Sequence, residues 1–345
     1  MTRLQTMTAT APSNIAFIKY WGKRDPKLQW PANDSLSMTL SASKTITQAT
    51  PNNLSHDTFT FAGATLDSRT SPDHKVFRHI ETLRAILGVS THVDVTSRNT
   101  FPTGCGIASS ASGFAALTIA TLAALTGAES FEALNERGFS RERLADLARK
   151  GSGSASRSLY GGYVKWRSGD HPESQKITQE FPLNHWPLSD VIVVLSPGEK
   201  HVSSSTAHLA AWGSPLFTTR IAGIPERMNA LHKAMESRDI ELLGTIIEAD
   251  ALEMHAVAMT GEPRVNYFLD ATKELLAWTR AGRERGVLPA WFTVDAGPNV
   301  HLICQTADAH HVAEQVRKRW PDAKVIMDST GAGPELKPGR DDEVK

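Results

Sequence analysis

The sequence predicts an α+β fold, with a two-layer α/β arrangement as the alternative, because strand-like segments come first and helices and strands mix later. Single strands and helices do not alternate regularly, which disfavours a Rossmann or TIM-barrel fold. A chain of 345 residues is long enough for about two domains of ~150 residues. The Pro/Asn/His-rich stretch FPLNHWPLSD favours a boundary near residue 185, giving domains 1–185 and 186–345.

The N-terminal half begins with two predicted strands. Residues 7–19 are largely apolar, and residues 35–49 mix Ser and Thr with aliphatic residues at strand-like spacing. Val93 to Ser97 predicts a further strand, followed by the Gly/Pro-bearing turn FPTGCGIASS. An Ala-rich helix is then expected from about Ser109 to Leu125, and another helix ends over Leu144 to Lys150.

In the C-terminal half, the five consecutive aliphatic residues Val191 to Leu195 are typical of a buried strand. Ala222 to Met259 is helical in pattern, with breaks expected near Pro225 and Ser237. The remaining predictions are a helix over 266–280, a strand–turn–strand in WFTVDAGPNVHLIC, a helix over Ala307 to Trp320 and a strand over Lys324 to Asp328. A charged, Pro/Gly-rich tail follows from Pro334 and is expected to be loose at its end.

Composition excludes few function classes but disfavours some. Lys+Arg and Asp+Glu both total 37, whereas a nucleic-acid binder usually has a basic excess. The two cysteines, Cys105 and Cys304, lie in no metal-binding pattern and fit a reducing compartment. The N-terminus lacks a signal-peptide core, and the apolar run Phe114 to Leu125 is shorter than a bilayer needs. We expect a cytoplasmic protein that binds neither membrane nor nucleic acid.

Pro102 to Gly113, PTGCGIASSASG, places glycines and serines between a strand and a helix start. Small residues allow close backbone approach, and free amides at a helix N-terminus suit a phosphate. Hydroxyls of Ser109, Ser110 and Ser112 would add donors or hold a metal-bound water. No GK[ST] follows, so this is not a Walker motif. The alternative is a glycine turn before a serine-capped helix.

Two segments supply candidate cations. Gly151 to Gly162, GSGSASRSLYGG, surrounds Arg157 with alternating serines, and an arginine fork holds a carboxylate or phosphate. In Asn14 to Asp25, NIAFIKYWGKRD, Lys19 follows an apolar strand, so its stem is expected to be partly buried. The alternatives are a solvated loop and a solvated charge cluster.

Asp295, at the end of an apolar strand in TVDAGPN, is a candidate general base. The alternative is an aspartate that only hydrogen-bonds its own turn. The glycine-rich turn at 329–334, STGAGP, predicts no specific function alone. The segment at 200–206, KHVSSST, is either a lid over phosphates or an ordinary mobile loop.

Together these motifs resemble the diphosphomevalonate decarboxylases of the GHMP kinase superfamily. The resemblance rests on APSNIAFIKYWGKRD, PANDSLSMTLS, the phosphate-loop segment, GSGSASRSLYGG and DAGPN, and covers about residues 10–334. It implies a ribosomal-S5-domain-2-like N-terminal half and a ferredoxin-like C-terminal half, with the site between them. It further implies conversion of mevalonate 5-diphosphate and ATP to isopentenyl diphosphate, ADP, phosphate and carbon dioxide, with magnesium; homodimers are common in the family.

The resemblance also implies roles for individual residues. Asp295 would orient or deprotonate the tertiary hydroxyl, Arg157 would hold the substrate carboxylate, and Lys19 would lie near the reacting centre. The remaining substrate-binding candidates are Asn14, Tyr20, Lys23, Ser152 and Ser154. The nucleotide-binding candidates are Ser97, Asn99, Gly106, Ser109, Ser110 and Lys200, with Ser110 also the metal candidate.

Two departures from the family pattern stand out. The phosphate loop has TGCG where the family more often has TAAG. Cys105 is expected to be a small filler, with an inhibitor-sensitive thiol as the alternative. SSSTAHLAAW replaces a segment that commonly has Gly-Met after the serines. Decarboxylation of mevalonate 5-phosphate, phosphorylation of mevalonate alone, and a non-catalytic binding protein remain alternatives. The cationic group around Tyr20, Lys23 and Arg24 favours a phosphorylated substrate.

Overall fold

The computed structural model describes residues 4–102, 107, 109–196 and 202–339. The N-terminal half contains β1 (Met7–Ile18), β2 (Lys23–Asp25), β3 (Trp30–Pro31), β4 (Ser35–Asn52), β5 (Thr58–Phe61), β6 (Ala64–Asp67), α1 (Lys75–Leu87), β7 (His92–Asn99), α2 (Ser109–Thr126), α3 (Phe131–Glu136), α4 (Arg141–Gly151), β8 (Tyr163–Arg167) and β9 (Lys176–Phe181). A 3-10 helix, Gly153–Leu159, occupies the predicted serine-rich loop.

The C-terminal half contains β10 (Leu188–Val194), α5 (Ser204–Ala210), α6 (Phe217–Ser237), α7 (Ile240–Thr260), α8 (Asp270–Glu284), β11 (Trp291–Thr293), β12 (Val300–Gln305), α9 (Ala309–Arg319), β13 (Lys324–Ser329) and β14 (Glu335–Pro338). The α+β prediction is confirmed. Most predicted segments match an element, and helix 266–280 is found four residues later.

Among the described residues, the N-terminal half is built on one large sheet. Its main path runs β14–β1–β4–β7–β5–β6, with β8 pairing to β4 and β9 to β8. The alanines of α2 are small enough to let this helix pack closely, and they are buried against β1 and β4. This packing fixes the position of the α2 N-terminus, where Ser110 lines the cavity described below.

The second sheet has the order β11–β12–β10–β13 and is covered on both faces. Successive β10 side chains point to opposite faces. Val191 and Val193 pack with α8 and α9, whereas Ile192 and Val194 pack with α6 and α7. The core on the Ile192 side also includes Ile15 and Phe17 of β1, so apolar packing joins the two halves. The predicted division at residue 185 stays a prediction.

The structure bears on three predictions about single segments. Residues 335–338 form β14, paired antiparallel with β1 from Met7 to Thr10, whereas the end of the tail, predicted to be loose, lies outside the described residues. The break predicted near Pro225 is wrong, because Pro225 lies inside α6 without ending it. Helix α2 has 18 residues and is apolar enough, by length and composition, to cross a membrane, but 78% of it is buried within the protein. It is a core helix here.

Candidate active site

A cavity of about 270 Å³ opens where β1, the 3-10 helix, α5 and the loop after β11 meet. It brings together segments separated by almost the whole chain. Among the predicted site residues, its lining includes Asn14, Lys19, Tyr20, Lys23, Ser110, Ser152, Ser154, Arg157 and Asp295.

Asp295 and Lys19 form an ion pair in the lining of this cavity. Lys19 Nζ lies 2.7 Å from Asp295 Oδ1, and the lysine side chain is only 2% exposed. The lysine backbone is held from behind, because its amide donates to Asp250 Oδ2 at 2.8 Å and its carbonyl accepts from Asn33 at 2.9 Å. An ionised carboxylate in this position is available to accept a proton, and the ammonium beside it stabilises developing negative charge.

Arg157 is buried beside this pair without a hydrogen-bonded carboxylate among the described residues. Its guanidinium donates to Ser35 Oγ at 2.7 Å, to Ser37 Oγ at 3.0 Å and to Asn14 Oδ1 at 3.3 and 3.4 Å. Burial lowers the pKa of Arg157 to about 10, so the group stays charged at neutral pH. Asn14 is fixed in turn by donating to Ser158 Oγ at 2.9 Å. The structure thus holds a cation ready for an anionic ligand.

Tyr20, Lys23 and His208 line another part of the cavity. Burial raises the pKa of Tyr20, and its buried hydroxyl has no hydrogen-bond partner among the described residues. Burial lowers the pKa of Lys23. His208 on α5 contacts the Tyr20 ring, with ring centroids 4.3 Å apart, and burial lowers its pKa well below the usual value. This region offers several donors in a low-dielectric setting.

Serine hydroxyls form a further wall. Ser152 Oγ donates to Ser110 Oγ at 3.3 Å, and Ser152 and Ser154 hydroxyls lie 3.4 Å apart. Gly153 between them allows close packing, because a Cβ there would lie 2.7 Å from Tyr20 Cε1. Ser110 sits in the first turn of α2, whose dipole favours negative charge at that end.

Other predicted residues lie elsewhere. Ser97 and Asn99 do not line this cavity; on β7 they bond Thr47 and Thr45 at 2.8 Å. Ser109 begins α2 without lining the cavity. The nucleotide roles of these three remain predictions. Gly106, Lys200 and Cys105 lie outside the described residues.

Arg24 does not join the Tyr20–Lys23 group. It donates to Gly169 O at 3.1 Å and lies over the Trp30 ring, with Cζ 5.0 Å from the centroid. Lys75, by contrast, lines the cavity and was missed because α1 was not predicted. His208 was also missed; its signal was the departure from Gly-Met in SSSTAHLAAW.

Family models match both halves of the chain. Residues 11–178 match the diphosphomevalonate decarboxylase-like N-terminal domain, and residues 190–340 match the mevalonate 5-diphosphate decarboxylase C-terminal domain. The chain belongs to the diphosphomevalonate decarboxylase family. A family relative from Ganoderma lucidum, named diphosphomevalonate decarboxylase, is 37% identical over 94% of this chain and 84% of its own length. The human diphosphomevalonate decarboxylase is 33% identical over 92% and 80%.

Solved structures of the family share this fold, which confirms the GHMP kinase prediction. A complex of MDDEF with MVAPP, AMPPCP and magnesium has a TM-score of 0.87 and 31% identity, covering 97% of this chain and 99% of that one. Mevalonate diphosphate decarboxylase from Staphylococcus aureus has a TM-score of 0.86 and 31% identity, covering 96% and 98%.

Proposed function

We propose that this protein is an ATP-dependent decarboxylase that converts mevalonate 5-diphosphate to isopentenyl diphosphate, with release of ADP, phosphate and carbon dioxide. This reaction belongs to the mevalonate pathway of isoprenoid biosynthesis. The observation that carries the proposal is the buried Lys19–Asp295 pair beside Arg157, whose described hydrogen-bond partners are all neutral. The family relatives and the ligand complex of MDDEF support it.

The described residues suit each charge change of this reaction. Asp295 orients the tertiary hydroxyl and accepts its proton as the oxygen attacks the γ-phosphate, and Lys19 keeps the carboxylate in place. The phosphorylated oxygen then leaves, positive charge develops at that carbon, and the electron pair from the departing carboxylate forms the double bond. Arg157, whose side chain is buried, positions that carboxylate.

Magnesium and ATP fit the serine wall. Magnesium prefers oxygen ligands and keeps several waters, and Ser110 supplies a hydroxyl at the helix end that attracts phosphates. The described residues contain no group of three His, Cys, Asp or Glu side chains that would hold a metal alone. The ion would therefore be bound with the nucleotide phosphates, whose charge it neutralises during phosphoryl transfer.

The nearest alternative substrate is mevalonate 5-phosphate. The position of Arg24 supports this alternative, because a substrate with one phosphate needs fewer cations. With Arg24 turned to Gly169 and Trp30, the Tyr20–Lys23 group has one cation fewer than the sequence indicated. Phosphorylation of mevalonate without decarboxylation is less compatible with the buried lysine at position 23. A non-catalytic binding protein would not need the Lys19–Asp295 pair.

The experiment that tests the function supplies the purified protein with ATP, magnesium and, in turn, mevalonate, its 5-phosphate and its 5-diphosphate. ADP and carbon dioxide are measured together. We expect equal amounts of both products from the diphosphate. ADP without carbon dioxide would indicate a kinase, and no product from any of the three would refute the enzyme.

Asp295→Asn tests the mechanism. Loss of the carboxylate should lower kcat by about 10³-fold, in the range of general-base effects, while the substrate still binds through Arg157 and Lys23. Turnover is measured by carbon dioxide release and binding by titration calorimetry. Asp322→Asn, at an exposed position, is the matched control. Full turnover in Asp295→Asn would remove the base role.

Location and assembly belong to the same proposal. We infer a cytoplasmic homodimer that binds neither membrane nor nucleic acid, on the grounds of the balanced charge and the family resemblance. Light scattering of the purified protein tests the dimer, and fractionation of cells that produce it tests the location.

A further inference from the structure

His208 lies on α5 in an unusually enclosed position for a polar side chain of a surface helix. It is 7% exposed. Its ring contacts Tyr20 and Trp21, with centroid distances of 4.3 and 4.7 Å. The same residue lines the cavity that holds Asp295 and Arg157. The imidazole is therefore held by its neighbours and faces the site.

One hydrogen bond fixes the tautomer of this imidazole. The Gly22 amide donates to His208 Nδ1 at 3.0 Å. Because a backbone amide only donates, Nδ1 must be the unprotonated acceptor, and the ring hydrogen lies on Nε2. Only glycine fits at position 22, because its φ is 82° and a Cβ there would lie 2.4 Å from Phe217 Cζ. Burial near Lys23 and Arg157 lowers the pKa of His208 and favours the same neutral state.

Within the described part of the chain, the bond from the Gly22 amide to Nδ1 is the only hydrogen bond of the His208 side chain, so Nε2 has no described partner. The Tyr20 hydroxyl beside it is buried and also lacks a described partner. Lys23 adds a nearby ammonium that is 7% exposed. A ligand with several oxygen atoms would satisfy all three.

We propose that His208 is a substrate-binding residue that donates its Nε2 hydrogen to a phosphate oxygen of the substrate. This inference rests on the proposed function, which places a phosphorylated end of the substrate beside Tyr20 and Lys23. Because the imidazole is neutral, it adds a directed hydrogen bond without adding charge. This hydrogen bond lies near Tyr20 and Lys23, whereas Arg24 is turned towards Gly169 and Trp30. His208 thereby links α5 to both the substrate and the β1–β2 segment.

Two amide substitutions separate the functions of the two ring nitrogens. His208→Gln places an amide group near Nε2 and keeps a donor there, whereas His208→Asn places its amide near Nδ1 and does not reach the ligand. His208→Met removes both polar atoms and keeps a side chain of similar length. Leu209→Ala, at a 52% exposed neighbour on the same helix, is the control.

Binding of mevalonate 5-diphosphate and of inorganic pyrophosphate is measured by titration calorimetry without ATP. We expect Kd for both to rise about tenfold in His208→Asn and His208→Met, equivalent to about 1.4 kcal/mol. His208→Gln should restore affinity to within about threefold, and the KM for ATP should not follow the rise. Thermal unfolding checks that each variant is folded.

The outcomes are distinguishable from those of the proposed function. If the wild type converts no mevalonate derivative but binds pyrophosphate more tightly than His208→Asn, the function fails and His208 still binds phosphate. Equal affinities of wild type, His208→Asn and His208→Met would overturn the inference. So would a wild type that binds neither ligand. If His208→Asn does not fold, the His208→Gln and His208→Met pair decides, and equal affinities there overturn it.

Discussion

Two buried arginines of this protein have opposite surroundings. Arg157 is 3% exposed and donates only to neutral oxygens of Ser35, Ser37 and Asn14 among the described residues. Arg220 is 0% exposed, but it pairs with Asp250 at 3.1 Å and with Glu253 at 2.9 Å. Burying a cation is costly unless an anion compensates it. The protein therefore compensates Arg220 with bonded carboxylates, whereas the described hydrogen-bond partners of Arg157 are neutral, as the proposed binding of an anionic substrate requires.

The two regions are nevertheless connected. Asp250 uses its second oxygen to accept the Lys19 amide at 2.8 Å, and Arg220 also reaches the Lys19 carbonyl at 3.4 Å. The Arg220 cluster thus holds the backbone of a residue whose side chain meets Asp295. Substitutions at the two arginines should separate activity from stability.

The largest effect is expected for Arg157→Met. Without the guanidinium, kcat/KM for the substrate should fall by about 10³-fold, since a preorganised charge contact in a buried site is lost. The free energy of unfolding should stay the same or rise, because the removed cation is buried and hydrogen-bonds no carboxylate among the described residues. Steady-state kinetics and urea unfolding measure the two quantities. A loss of stability as large as that of an Arg220 variant would contradict the conclusion that Arg157 serves activity more than folding.

Arg220→Met should act mainly on stability. It leaves Asp250 buried with only Arg227 as an arginine partner, so unfolding should become easier by about 3 kcal/mol. Activity of the folded fraction should fall much less than in Arg157→Met. Urea unfolding of this variant is compared with Arg264→Met, at an exposed position. Unchanged stability would show that the Arg220 cluster is not the compensated counterpart of Arg157.

The smallest effect is expected for Arg283→Met, which extends the comparison to a half-buried pair. Arg283 lies 2.8 Å from Glu248, which keeps Arg280 as a second partner at 3.0 Å. Solvent reaches Arg283, whose side chain is 25% exposed. The buried Glu248 keeps Arg280 and the Phe292 amide as partners, so the free energy of unfolding should fall by only about 1 kcal/mol. The same urea experiment measures it, and a loss larger than that of Arg220→Met would show that burial does not set the order.

Much of the fold was predictable because local patterns agree with it. The alternating and apolar runs gave β1, β4, β7 and β10, and the Ala-rich segment gave α2. The site residues Lys19, Arg157 and Asp295 were predicted from charged groups set in apolar or small-residue surroundings, together with the resemblance. Their pairing was not predictable, because Lys19 and Asp295 are 276 positions apart. Proximity across that separation depends on the packing of the two sheets.

The sequence by itself determined the α+β class and the family, and it indicated the candidate anion-binding segments. The tertiary structure decided which charges are compensated. It turned Arg24 towards Gly169 and brought Lys75 and His208 to the cavity. It also added the C-terminal strand β14 to β1, where a charged tail alone indicates no partner. The physical reason is the same in each case: local patterns predict an element, but long-range contacts decide what each polar group meets.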